Sequence, residues 1–225
     1  MSMLNRQVFN TISGWLVPGA CVLCSGVAVA RGALCGGCRR LLFNALPQRC
    51  LCPVCGGVEV PGLCSCRRDG PPVRSLLQYR PVGSRLVQAL KFGKRPEVAE
   101  LLAALLVSGF ERPEADCICW VPLHLSRRRK RGYDQAELIA RFLGKRYGLP
   151  GRGVLKRVRK TAPQARSGVV ERGSNVAAAF AAAPGCGRVL LIDDVVTTGA
   201  TVLACVAALE EQGWVVADVR TPFYG

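Results

Sequence analysis

The sequence predicts a parallel α/β domain over residues 71–225, preceded over residues 1–70 by a cysteine-rich head that holds metal. Three observations carry this. Apolar strand-like runs alternate with helical patterns from Ser75 to Val219, which implies a parallel sheet covered by helices on both faces. Nine of the 13 cysteines lie between Cys21 and Cys66, several as C-x-x-C pairs. One apolar run ends on two adjacent carboxylates and a turn of threonines and glycine.

The head comes first. Leu4, Val8, Ile12 and Trp15 recur at helical spacing over residues 2–17, and Pro18 ends that helix. It reads as a packing helix, since its polar face carries almost no positive charge. Cys21-x2-Cys24 and Cys35-x2-Cys38 follow. Each pair bends a tight knuckle, and two knuckles supply the tetrahedral thiolates that a structural Zn²⁺ prefers. A second set, Cys52-x2-Cys55 with Cys64-x-Cys66, is less regular, and Cys50 is a spare that can substitute. One or two structural zinc ions are expected, an iron–sulfur cluster being the alternative. So small a segment cannot build a core unaided, so metal supplies its stability. An odd cysteine total argues against a disulfide framework. With no visible signal peptide and no apolar run long enough to span a bilayer, a soluble cytoplasmic protein without membrane insertion is expected.

The charged stretch Arg67–Pro72 marks the boundary. Beyond it, Ser75–Tyr79 reads as a strand, Gly83–Phe92 and Glu97–Phe110 as helices, and Cys117–Val121 as a buried strand stopped by Pro122. Asp134–Tyr147 reads as a helix, Gly187–Ile192 as a strand, Thr201–Leu209 as a helix and Trp214–Val219 as a final strand.

The 31 Lys and Arg against 15 Asp and Glu give a net charge of +16. The excess is concentrated: His124 to Arg172 holds 15 basic residues and only three acids, Asp134, Glu137 and Glu171. Such a field repels itself and attracts polyanions, so a nucleotide, pyrophosphate or nucleic acid is the expected partner. The densest run, Arg127, Arg128, Arg129, Lys130 and Arg131, can clamp pyrophosphate or nucleic-acid phosphates, or can be a solvated helix start. Trp120, Tyr133 and Tyr147 are candidates for base stacking or for core packing. His124, the sole histidine, reads equally as a pyrophosphate contact and as a loop-packing residue.

The most informative segment runs from Val189 to Thr201. An apolar strand leads into Asp193 and Asp194, then Val195, Val196, Thr197, Thr198, Gly199, Ala200 and Thr201. The turn at a helix N-terminus offers N–H groups and threonine hydroxyls to a phosphate. The paired carboxylates can accept hydrogen bonds from the vicinal hydroxyls of a ribose. The C-terminal edge of an open α/β sheet is where such ligands bind.

This segment closely resembles the phosphoribosyl-pyrophosphate signature of type I phosphoribosyltransferases. By that resemblance Asp193 and Asp194 hold the ribose hydroxyls, Val196 to Thr201 wrap the 5′-phosphate, and Mg²⁺ accompanies the ligand. Further motifs narrow the match. Trp120-Val121-Pro122-Leu123-His124, Arg131-Gly132-Tyr133-Asp134-Gln135-Ala136, Leu90-Lys91-Phe92, and Gln164, Arg172, Asn175 and Phe180 resemble the ComF family, as does the cysteine head. Asp134 departs from the pattern, standing where that family usually has Asn. The resemblance implies a type I phosphoribosyltransferase fold (an open parallel sheet with flanking helices) behind a double zinc ribbon, in a protein linked to natural competence. Three activities follow as expectations: an accessory factor that binds phosphoribosyl pyrophosphate or a related nucleotide and handles single-stranded DNA or engages the DNA-uptake machinery; an active phosphoribosyltransferase for a nitrogenous acceptor; or a ligand-gated nucleic-acid-binding regulator.

Overall fold

The computed structural model describes residues 19–28, 32–46, 71–158 and 179–225. The expected helix over 2–17, the second cysteine set (Cys52, Cys55, Cys64, Cys66) and Gln164, Arg172 and Asn175 lie outside the described residues.

In the head, the chain folds back so that the Cys21 N–H donates to the Gly26 carbonyl at 2.6 Å. Helix α1 (Gly36–Asn44) then begins on Cys35, whose sulfur accepts the Cys38 N–H at 3.4 Å. Period-based reading missed this helix, because Gly36, Gly37 and Arg39 give it no apolar stripe.

The larger part runs β1 (Val73–Gln78), α2 (Ser84–Lys91), α3 (Glu97–Gly109), β2 (Cys117–Trp120), α4 (Leu125–Arg131), α5 (Gln135–Tyr147), β3 (Leu155–Arg157), β4 (Phe180–Ala182), β5 (Arg188–Ile192), β6 (Val195–Val196), α6 (Ala200–Glu211) and β7 (Val215–Tyr224). The main sheet has the order β1-β7-β5-β2, with β6 also pairing β7, and every one of these pairings is parallel. Both faces are covered. Leu190 and Ile192 of β5 and Ile118 of β2 join the apolar cluster of α2, α3 and α5, whereas Val189, Leu191, Cys117 and Cys119 join that of α6. This is the period-2 alternation of a strand buried on both sides. Cys117 and Cys119 are therefore core fillers, and burial pushes both thiols up.

Local signals set the helix ends. Asp134 caps α5, its Oδ1 accepting the N–H groups of Ala136 at 3.0 Å and Glu137 at 3.3 Å, and Gly148 ends the helix at φ 67°. Strand β7 extends past the expected end at Val219, through Pro222 to Tyr224. The proline is tolerated because neither neighbouring strand pairs with it. The antiparallel pair β3–β4 was not expected; its strands of three residues are too short to show a period.

The head packs on this domain. Cys21, Leu34 and Leu42 share one apolar cluster with Leu86, Leu90 and Val98. Arg85 donates to the Leu23 carbonyl at 2.8 Å, and Arg95 to that of Ala20 at 3.1 Å.

Candidate functional site

Parallel pairing brings the ends of β2 and β5 side by side, with Trp120 opposite Ile192. The loop Val121–His124 and the acid pair therefore emerge together at the sheet's C-terminal edge. The Val121 N–H donates to the Ile192 carbonyl at 2.9 Å, and the Asp193 N–H to that of Arg220 at 3.2 Å. The Asp134 carboxylate fastens this loop to α5, since its Oδ2 accepts the Leu123 N–H at 2.7 Å. An acceptor-only carboxylate suits a site where three N–H groups converge, which accounts for Asp at this position.

After the acid pair, Val195 and Val196 form β6 against Phe223 and Tyr224. Thr197 and Thr198 are exposed at the turn. Gly199 has φ 75°, a left-handed conformation that side chains resist. It directs Ala200 and Thr201 into the first turn of α6, so the turn's N–H groups and hydroxyls collect at one helix N-terminus.

The two carboxyls differ. Asp194 is 5% exposed, and its Oδ2 touches the Lys91 ammonium at the end of α2. Asp193 accepts the Asp194 N–H on its Oδ1 at 2.8 Å. Burial and then the neighbouring Asp194 charge push the Asp193 carboxyl well above the usual carboxylate range. Arg157, at the end of β3, acts electrostatically on Asp193 and lies 5.2 Å from the Phe180 ring centre.

The basic run forms α4 and divides. Arg127, Lys130 and Arg131 line a cleft of about 380 Å³ together with Lys91, Phe92, Lys94 and Tyr133. Arg128 turns away to Glu137 at 3.0 Å, and Arg129 faces solvent. Phe92 is 72% exposed and carries the Arg131 guanidinium 5.1 Å from its ring centre. His124 caps α4, its Nδ1 lying 2.8 Å from the Ser126 hydroxyl. Tyr147 is a core residue: its hydroxyl donates to the Phe110 carbonyl at 2.9 Å and accepts from Arg220 at 2.8 Å. Lys91 and Arg157 were not singled out from sequence; Lys91 had a signal, as the centre of Leu90-Lys91-Phe92.

Cys21, Cys24, Cys35 and Cys38 converge, with all four sulfurs within 4.8 Å of one another. Those of Cys24 and Cys35 are 3.7 Å apart. A tetrahedral Zn²⁺ with Zn–S near 2.3 Å spaces its sulfurs by about 3.8 Å, so the set fits that ion. The thiols also compete for charge. Burial opposes ionisation of Cys21, but the N–H groups of Cys35, Cys24 and Leu23 outweigh it and bring the thiol down to about 6. The Cys24 and Cys35 sulfurs push Cys38 up to about 12. A divalent ion resolves the competition by taking all four as thiolates.

No protein-family model and no curated protein matches the chain. Solved structures similar to it include UMP synthase from Leishmania donovani (18% identity, TM-score 0.35, 60% of this chain, 24% of that one). Another is an allosteric regulatory enzyme of purine biosynthesis (19%, TM-score 0.39, 61% and 30%). A third is adenine phosphoribosyltransferase from Thermoanaerobacter pseudethanolicus (17%, TM-score 0.36, 61% and 84%). The chain thus spans less than a third of the first two proteins. At such identities and with superpositions this loose, these likenesses carry no argument about this chain. The parallel sheet with flanking helices, the acid pair leading into the glycine turn at its C-terminal edge, and the four-cysteine knuckle define this chain's own class: a parallel α/β domain with a head that fits a zinc ribbon. Among the described residues no helix is long and apolar enough to cross a membrane.

Proposed function

We propose that this is a ComF-like protein that binds phosphoribosyl pyrophosphate, or a related nucleotide, at the acid pair and the turn after it. One observation carries the reading: Asp193 and Asp194 stand at the C-terminal end of β5, and the chain passes from them through the short β6 into a glycine-opened turn that begins α6. The turn suits a 5′-phosphate and the carboxyls suit ribose hydroxyls. His124 and the Val121–His124 loop beside them suit the pyrophosphate end. The Mg²⁺ implied by the resemblance does not fit the acid pair itself, because the Lys91 ammonium holds Asp194.

Turnover, if the protein is an enzyme, joins an acceptor nitrogen to the anomeric carbon. The bond from that carbon to the pyrophosphate oxygen breaks, pyrophosphate leaves with the electron pair, and the nitrogen gives up its proton. The protein's part is positioning and charge stabilisation. Pyrophosphate release measured across a panel of bases and amines tests this: release with one acceptor supports the transferase, whereas ligand binding without release favours an accessory factor or regulator.

A specific observation favours a nucleic-acid role as well. The cleft beside the acid pair is lined by five cations and the exposed Phe92 ring, and among the described residues no carboxylate lines it. Cations for phosphates and a ring for bases are what a single strand needs. A role in handling imported DNA during competence, in the cytoplasm, rests on this cleft and on the family resemblance. Anisotropy of a labelled oligonucleotide should report binding that weakens steeply with salt. Phe92→Ala should weaken it, and no binding at low salt removes the DNA role.

A further inference from the structure

The acid pair has a partner that the ligand reading does not explain. The Lys91 ammonium rests on the Asp194 carboxylate, which is buried at 5% exposure, while the lysine side chain keeps 24% of its own. The contact is built into the fold. Leu90 is fully buried, and its carbonyl accepts the Tyr133 hydroxyl. The Phe92 N–H closes the end of α2 on the Gln88 carbonyl at 2.8 Å, and the Arg131 guanidinium lies over the Phe92 ring. Lys91 is thereby held between two anchored neighbours.

A divalent Mg²⁺ demands about six oxygen ligands at close to 2.1 Å. Here Asp194 Oδ2 is engaged by the ammonium and Asp193 Oδ1 by the Asp194 N–H. The cleft that Lys91 lines is also lined by Lys94, Arg127, Lys130 and Arg131. A bare divalent ion would enter against that field, and any divalent ion seated on Asp194 Oδ2 would have to displace a cation already paired with a buried carboxylate. An ammonium carries three donors, and one facing Asp194 leaves two for ligand oxygens.

Resting on the pocket reading above, we propose that Lys91 takes the part of a divalent cation: it stays on Asp194 and donates to the ligand's hydroxyl and pyrophosphate oxygens, so that phosphoribosyl pyrophosphate binds without Mg²⁺. The cleft's other cations neutralise the remaining phosphate charge. Lys91→Met frees the carboxylates and turns the pair into a cation site.

The test is calorimetric titration of the full chain with phosphoribosyl pyrophosphate. The buffer is stripped of divalent ions by a chelating resin, with no soluble chelator, so thiolate-held zinc stays. A parallel titration adds millimolar Mg²⁺. The wild type should bind equally in both buffers, within about threefold. Lys91→Met should lose at least about tenfold in the stripped buffer and recover with Mg²⁺, while Lys91→Arg stays near wild type. Independently, Mn²⁺ alone should remain free in the electron paramagnetic resonance spectrum of wild type after zinc saturation, and be bound by Lys91→Met. Wild-type binding that appears only with Mg²⁺, or micromolar Mn²⁺ binding by zinc-saturated wild type, overturns the inference but leaves the pocket reading standing. No heat in either buffer removes the pocket reading and this inference with it. The wild-type comparison needs no variant to fold.

Discussion

Asp134 offers the sharpest quantitative prediction, because one buried carboxylate joins the cap of α5 to the loop beside the acid pair. Its Oδ1 accepts the Ala136 and Glu137 N–H groups at 3.0 and 3.3 Å, and its Oδ2 accepts the Leu123 N–H at 2.7 Å. Asp134→Ala removes the cap, worth about 1 kcal/mol, and orphans a partly buried N–H, worth about 1–3 kcal/mol. Part of this is offset. Burial pushes the Asp134 carboxyl up, so the native side chain carries a desolvation cost that the alanine does not. The net loss should be about 2 kcal/mol, or roughly 4–8 °C in Tm for a protein of this size. Asp134→Asn keeps one acceptor oxygen, and its amide NH₂ must then face a donor. Its Tm should fall between the other two. Amide hydrogen exchange gives the second readout. The alanine variant should lose protection at Leu123, Ala136 and Glu137 together, whereas the asparagine variant should lose it on one side only. An alanine variant melting within 1 °C of wild type, or unchanged exchange at Leu123, would refute the pinning argument.

Two other outcomes are expected. Zinc analysis of reduced protein should find at least one ion per chain, and Cys38→Ser should lose one; because Cys21, Leu34 and Leu42 share a cluster with Leu86 and Leu90, the variant's melting temperature should drop for the whole protein, and an unchanged melt would show the knuckle to be energetically separate. Asp193 should impose a pH dependence: burial and Asp194 raise its carboxyl, so the folded state keeps a proton that the unfolded chain releases above about pH 3.9, and stability falls as pH rises from there through the native value. Asp193→Asn should flatten that slope and raise Tm at neutral pH while weakening ligand binding; a melting temperature unchanged from acid to neutral pH, relative to wild type, would remove the assigned cause.

Sequence patterns reported the sheet well wherever burial was two-sided. The run Val189–Ile192 is apolar throughout, because alternate residues feed the clusters on opposite faces. The end of β5 was equally legible, since adjacent aspartates after such a run have few structural uses. What escaped detection depends on contacts distant in sequence. Lys91 is a helix-ending lysine like many others until the fold brings it to Asp194, 103 positions away. Arg157 lies on a strand too short to show a period. The division of Arg127–Arg131 into cleft-lining and outward side chains needed the helix and Glu137 of α5. The first cysteine set was legible from spacing alone, because two knuckles bring four sulfurs together with little help from the rest of the chain.

The pocket at the acid pair is the central claim, and one titration tests it most directly. Phosphoribosyl pyrophosphate is titrated calorimetrically into wild type and into Gly199→Val, the variant whose branched side chain cannot hold the φ of 75° that shapes the turn. Circular dichroism confirms that the variant is folded. The account predicts saturable single-site binding to wild type and at least a tenfold loss, about 1.4 kcal/mol, in the variant. Equal affinity for a folded Gly199→Val, or no wild-type binding at all, would contradict it.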